Sequence, residues 1–151
     1  MTTTQPTTLT TAPVERPTAP MLSASDTLTV IAWHDPTVDQ ASGAMPTDSD
    51  DALVWYTPSV GTIGMAMAHR FARYATDAPT RWTVDEMAAT FGLARSAGRV
   101  FRSLDRLERF DIARRHIDVV EVRLWLPPLS RRHVDQLPAY LAAGATPGTT
   151  R

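Results

Sequence analysis

The sequence predicts a mainly α-helical domain closed by a small β-hairpin, and three observations carry that expectation. Thr83-Val84-Asp85-Glu86 has the form of a capping box at the start of a short helix. From Arg95 to about Phe110 only Gly98 interrupts the helix-forming residues, which divide on a helical wheel into an apolar face and a basic one. Two strand-like runs follow, Ile112 to Arg115 and Val119 to Leu126, with His116-Ile117-Asp118 between them.

The elements before and after this centre follow from local signals. Residues 1–24 are rich in threonine and proline and hold little that could be buried, so they predict a disordered tail, as do residues 144–151. The stretch 25–143 is then one domain, with Leu28 to Trp33 (LTVIAW) as a short strand in an N-terminal extension. Asp35-Pro36 and residues 41–51, including Asp48, Ser49, Asp50 and Asp51, read as solvated loop. Thr57 is placed to cap a helix with Pro58 at its first position, running to about Tyr74 through Val60, Ile63, Met67 and Phe71. Met65 and Met67 read as core, and Gly61 and Gly64 as points of close helix approach. The helix capped by Thr83 must stop near Gly92, the residue best able to turn left-handed. Pro127-Pro128 ends the hairpin, Ser130 caps a last helix from about Arg131, and Pro138 interrupts or restarts it.

Composition excludes several classes of function. The chain has no cysteine, and His34, His69, His116 and His133 are scattered rather than spaced as ligands, so no metal and no cofactor is expected. The Asp48–Asp51 cluster lacks the glycine and closing glutamate of a calcium loop. There is no glycine-rich phosphate loop and no Ser/His/Asp spacing, and an enzyme is not expected. No signal segment and no apolar run of membrane-spanning length is present, which predicts a soluble, cytoplasmic protein without a membrane partner.

The net charge of −1 hides an asymmetry, because residues 1–80 carry about −5 and residues 81–151 about +4. Every basic residue is arginine, which a coding sequence rich in G and C would also produce; placement separates that reading from a functional one. On the helix from Arg95, the residues Ala97, Val100, Phe101, Leu104 and Leu107 point one way. Arg95, Arg99, Arg102, Arg106 and Arg109 fall on the other, as a stripe ~20 Å long. Like charges so aligned repel by a few tenths of a kcal/mol per pair, roughly, unless an anion relieves them. Asp105 and Glu108 relieve only part of it. Forked guanidinium donors match phosphates and guanine edges, and a helix fits a major groove about 12 Å wide.

Met87-Ala88-Ala89-Thr90-Phe91-Gly92-Leu93, with its alanine four residues before the glycine, resembles the first helix and turn of a helix-turn-helix. Leu104 to Arg115 resembles the exit of a recognition helix into a wing, with Asp111 where glycine is commoner and Gly98 where a branched residue is commoner. Residues 57–128 are thus similar to the winged helix-turn-helix family, and the whole chain resembles winged-helix proteins of high-GC bacteria. The resemblance implies a regulator of transcription bound to double-stranded DNA. Thr83, Arg95, Ser96, Arg99, Arg102, Arg106, Arg114, Arg115 and His116 are its implied contacts, with the helix in the major groove and the wing on the minor groove or flanking phosphates. A solvated hairpin tip is the competing reading for His116. Val134, Leu137, Tyr140 and Leu141 suggest a homodimer through the C-terminal helix. The alternative function is a protein-interaction module that docks an acidic partner on the same arginines.

Overall fold

A computed structural model describes residues 26–145. The tail expected over 1–24 and residues 146–151 of the second tail lie outside the described residues. Gly144 and Ala145, assigned to that second tail, instead close the last helical turn, their amides bonded to the carbonyls of Leu141 and Ala142.

The described chain runs β1 (Thr27–Trp33), α1 (Pro36–Asp39), β2 (Met45–Pro46), α2 (Asp50–Val60), α3 (Thr62–Ala75), β3 (Thr80–Thr83), α4 (Val84–Thr90), α5 (Ala97–Arg109), β4 (Ala113–His116), β5 (Val119–Arg123), β6 (Trp125–Leu126), α6 (Arg131–Asp135) and α7 (Ala139–Ala142). Four strands form one mixed sheet in the order β3-β1-β5-β4, and β2 pairs with β6 apart from it. The expected fold class, a mainly α winged helix-turn-helix with a small hairpin, is therefore corrected to a mixed α/β architecture. The hairpin β4-β5 is present, but β1 runs parallel to β5, with Val30 opposite Val120, and antiparallel to β3, with Leu28 opposite Trp82. The β-branched and bulky residues of LTVIAW identify a strand and say nothing about a partner some ninety residues away, which tertiary packing alone selects.

One face of this sheet meets the helices. Leu28 and Val30 of β1 and Val120 and Val122 of β5 are buried with Met65, Met67 and Phe71 of α3 and Val100, Leu104 and Leu107 of α5. Both methionines are fully buried, as their spacing predicts. At Gly64 an added Cβ would lie 3.1 Å from Val60 Cγ1 and 3.6 Å from Leu107 Cδ2, so the missing side chain lets α3 approach α5.

The single helix expected from Thr57 to Tyr74 is two helices, and the expected Asp48–Asp51 loop is the start of the first. Ser49 caps α2 by accepting from the Ala52 amide, and Asp50 and Asp51 fall in the first turn, where the helix dipole favours carboxylates. That start signal outweighs the proline, which sits inside α2 near its end. Gly61, at φ +95°, then separates α2 from α3.

Two left-handed residues set the ends of the helix pair. Gly92 (φ +66°) and Leu93 close α4 in a Schellman arrangement, their amides bonded to Ala89 and Ala88 carbonyls. Asp111 (φ +55°) and Ile112 close α5 in the same way onto Glu108 and Leu107. A non-glycine residue at such an angle needs support from its surroundings.

That support is Arg123, only 4% exposed at the end of β5. Its guanidinium donates to the Asp111 carbonyl at 2.6 Å, to the Asp111 carboxylate at 2.7 Å and to Asp35 Oδ2 at 2.8 Å. Its carbon Cζ lies 3.6 Å from the centre of the Trp33 ring, and Arg114 Cζ lies 3.5 Å from it. Two groups that close to one centroid must take opposite faces, so the buried indole is held between two guanidinia. Thr47, itself buried, donates its hydroxyl to the Arg123 carbonyl.

Replacing Arg123 with methionine should cost roughly 2–4 kcal/mol in denaturant unfolding, because three acceptors and an indole lose a shared donor. A variant as stable as the parent would show that the cluster contributes nothing. A second expectation concerns acid. The hydrogen bond from Arg123, with further help from the Thr37 amide and against the opposing effect of burial, holds the Asp35 carboxyl below its ordinary range. Unfolded Asp35 then takes up a proton more readily than folded Asp35. Its contribution is complete above the ordinary carboxylate range and is lost as pH falls through the lowered folded value. Melting temperature should decline on acidification through that range, and Asp35→Asn should flatten the decline; parallel curves for the two proteins would refute the coupling.

Candidate nucleic-acid interface

Helix α5 begins at Ser96, whose hydroxyl accepts from the Arg99 amide, and its register is fixed by Val100, Leu104 and Leu107 in the core. The wheel reading therefore places four of the arginines correctly, with Arg99, Arg102, Arg106 and Arg109 exposed; the helix expected from Arg95 starts at Ala97 instead, and Arg95 is exposed in the turn before it, at φ +53°. Among the described residues none of these five has a carboxylate within ion-pair distance; the arginines that do are Arg115 and Arg123.

Two of their guanidinia are held by carbonyls instead. Arg102 Nε donates to the Gly98 carbonyl at 3.2 Å, one turn back on the same helix. Arg106 Nη2 donates at 2.7 Å to the carbonyl of Ser59, near the end of α2. A carbonyl fixes a guanidinium without neutralising it. Between the two arginines and the α2–α3 corner lies an open groove of about 510 Å³, with residues 60–64 on one wall and Arg102, Ser103 and Arg106 on the other. Sequence reasoning missed this groove because it ran one helix through Gly61; the Gly61-Thr62 step after Pro58 was the available signal.

The hairpin residues are differently placed. Arg115 is bound at 2.7 Å to Asp105 and 3.3 Å to Glu108, both on the side of α5 that faces β4, and it lies over Phe101. His116 lies 3.3 Å from Glu121 on the neighbouring strand. Arg114 is exposed but stacked on Trp33. The hairpin tip carries Ile117, 82% exposed, beside exposed Asp118. Thr83 caps α4 by accepting from the Glu86 amide, while the Glu86 carboxylate takes the Thr83 amide and is held below its usual range by that bond. The structure thus brings Arg99, Arg102 and Arg106 onto one face of α5, places Arg95 in the turn before it, uses Ser96 as the cap, and gives Thr83, Arg114, Arg115 and His116 partners within the chain.

Elsewhere, His133 of α6 places Nε2 3.2 Å from Ser59 Oγ and 3.3 Å from the Trp55 carbonyl, and burial lowers its pKa. Of the residues expected to pair two copies, Leu137 is buried within the chain, Val134 and Leu141 are half-buried, and Tyr140 is 78% exposed. Among the described residues no helix is long and apolar enough to cross a membrane, and no group of three or more His, Asp or Glu is placed to hold a metal ion. Comparison with protein-family models, curated proteins and solved structures yields no match to this chain.

Gly98 occupies the exposed first turn of α5, and a Cβ there would meet nothing within 4 Å. No neighbouring side chain therefore requires glycine at this position. Gly98→Ala should raise unfolding stability by up to about 1 kcal/mol through helix propensity alone. A fall in stability would reveal a packing role that the open surroundings do not provide.

Proposed function

We propose that this chain binds double-stranded DNA, as a regulator of transcription would, through the arginine face of α5. The observation that carries the reading is a row of four exposed arginines on a helix whose opposite face is fixed in the core, with exposed Arg95 in the turn before it and none of the five paired with an acid among the described residues. The domain's acids are not short of opportunity: Asp105 and Glu108 lie on the same helix, yet they neutralise Arg115 of the hairpin. Those two acids are thereby kept from the arginine face, where phosphate oxygens would relieve the repulsion among the arginines.

This distribution also favours a contact led by the helix rather than by the hairpin. Arg115 and His116 would have to give up internal carboxylates to hold phosphate, and Asp118 at the tip would repel it. Thr83 is bound into its capping box beside Asp85 and Glu86 and contributes little to an anion. Arg95, Arg99 and Arg102 remain as the candidates for base edges and nearby phosphates.

Arg99→Glu with Arg102→Glu should leave the melting temperature close to that of the parent, since both side chains are exposed, and should abolish binding to duplex DNA. The parent's affinity should fall with salt, with a log–log slope of roughly −4 if the stripe neutralises four or five phosphates. Undiminished duplex affinity in a folded double variant would overturn the reading. Retention on heparin with no duplex binding would favour an acidic protein as the partner of this face.

A further inference from the structure

We infer that the groove between α5 and the α2–α3 corner is a seat for a single phosphate-ester group. The inference rests on the DNA-binding reading only for the source of that phosphate, not for the seat itself.

Two guanidinia, Arg102 and Arg106, form one wall of the groove, and neither has a carboxylate partner among the described residues. Arg106 is already in position before any ligand arrives. Its Nη2 is tied to the Ser59 carbonyl, forty-seven residues away in sequence, and its Nε faces the bare α-carbon of Gly61, where an added Cβ would come within 3.7 Å. One donor direction is thus spent on the protein, and the others are left for a second acceptor. Thr62, which lines the opposite wall, is exposed and carries a hydroxyl as a neutral donor. A volume of about 510 Å³ accommodates a phosphate with part of the group that carries it, and the open mouth suits a group presented on a larger molecule. Arg106 also serves the end of α2, where a cation on the last carbonyls is favourable. That service accounts for one of its hydrogen bonds and leaves unexplained why Arg102 lines the same groove with neither arginine paired to an acid among the described residues.

The ligand chemistry is a phosphate mono- or diester held by forked charge-assisted hydrogen bonds. It could be presented by the backbone of the bound duplex or by a free phosphorylated small molecule, and the experiment separates the two. The full chain, labelled with nitrogen-15, is titrated with inorganic phosphate and with pyrophosphate at constant ionic strength. The amide signals of Gly61 and Thr62 should shift saturably, with an affinity on the order of millimolar for so small an ion. Arg102→Gln should weaken the binding about tenfold or more, and Arg106→Gln likewise. Arg73→Gln, which removes the same charge from the far end of α3, should leave it unchanged. Shifts that do not saturate, or that weaken equally in all three variants, would overturn the seat and reduce it to diffuse attraction along the helix. Because Arg106→Gln can also loosen α2, Arg102→Gln in a protein that melts like the parent is the deciding variant. Displacement of pyrophosphate by a short duplex supports the seat with the DNA backbone as its source. Saturable pyrophosphate binding beside a bound duplex supports it with a free phosphorylated ligand as its source. Saturable pyrophosphate binding with no duplex binding supports the seat and refutes the DNA-binding reading.

Discussion

A buried arginine with four partners is the constraint on which the rest of this domain depends. Arg123 ends β5, the strand that β1 joins in parallel, and from there it reaches Asp35 after β1 and Asp111 after α5. A buried guanidinium is costly unless nearly every donor is used, and here the chain supplies two carboxylates and a carbonyl in three directions, with an indole beneath. The arrangement is demanding geometrically, because it is satisfied only when β1 lies beside β5 and α5 exits close to the sheet. The same few bonds therefore specify the strand order and the direction of α5. Exposed Asp111 could hydrate without Arg123, but its left-handed backbone would then lack the tether that holds it.

The distribution of acids follows from that geometry. Helix α5 has three sides: Val100, Leu104 and Leu107 toward the core, Asp105 and Glu108 toward β4, and the arginines toward solvent. Once the exit at Asp111 brings β4 alongside α5, Arg115 meets both acids, and they are no longer available to the arginines one step round the helix. Screening by water makes each exposed ion pair worth little to stability, on the order of 1 kcal/mol or less. Its effect on surface potential is larger than its effect on folding, since it decides which face keeps a net charge.

What was legible in the sequence is what short-range physics dictates. The caps at Thr83 and Ser130, the left-handed Gly92, the hairpin and the two faces of α5 all follow from patterns within about one or two helical turns. What was not legible is what pairs distant segments. β1 was identifiable as a strand but not as the centre of a sheet, and β3 was hidden because Thr83 serves both as its last residue and as the cap of α4. The start of α2 was masked by four polar residues that read as loop, although Ser49 followed by Asp50 and Asp51 is also a strong start signal. At the candidate site the stripe was readable from spacing alone. The partners that hold Arg114, Arg115 and His116 come from other elements, so their engagement was not.

The substitution of aspartate for the commoner glycine after α5 links these two levels. Glycine would adopt the left-handed angle at Asp111 freely and would make the helix exit a local matter. Aspartate adopts it at a cost of about 1 kcal/mol, and here its carboxylate is used by Arg123, so the exit is secured by a contact with β5 rather than by local freedom. The angle at which α5 leaves the core, and hence the direction in which its arginines face, is thereby tied to the assembly of the sheet. In a chain whose sheet has not formed, Asp111 has no Arg123 partner, α5 has no fixed exit, and its four arginines lie on a helix whose end is untethered. The basic face thus becomes an ordered surface only when the domain has folded around Arg123.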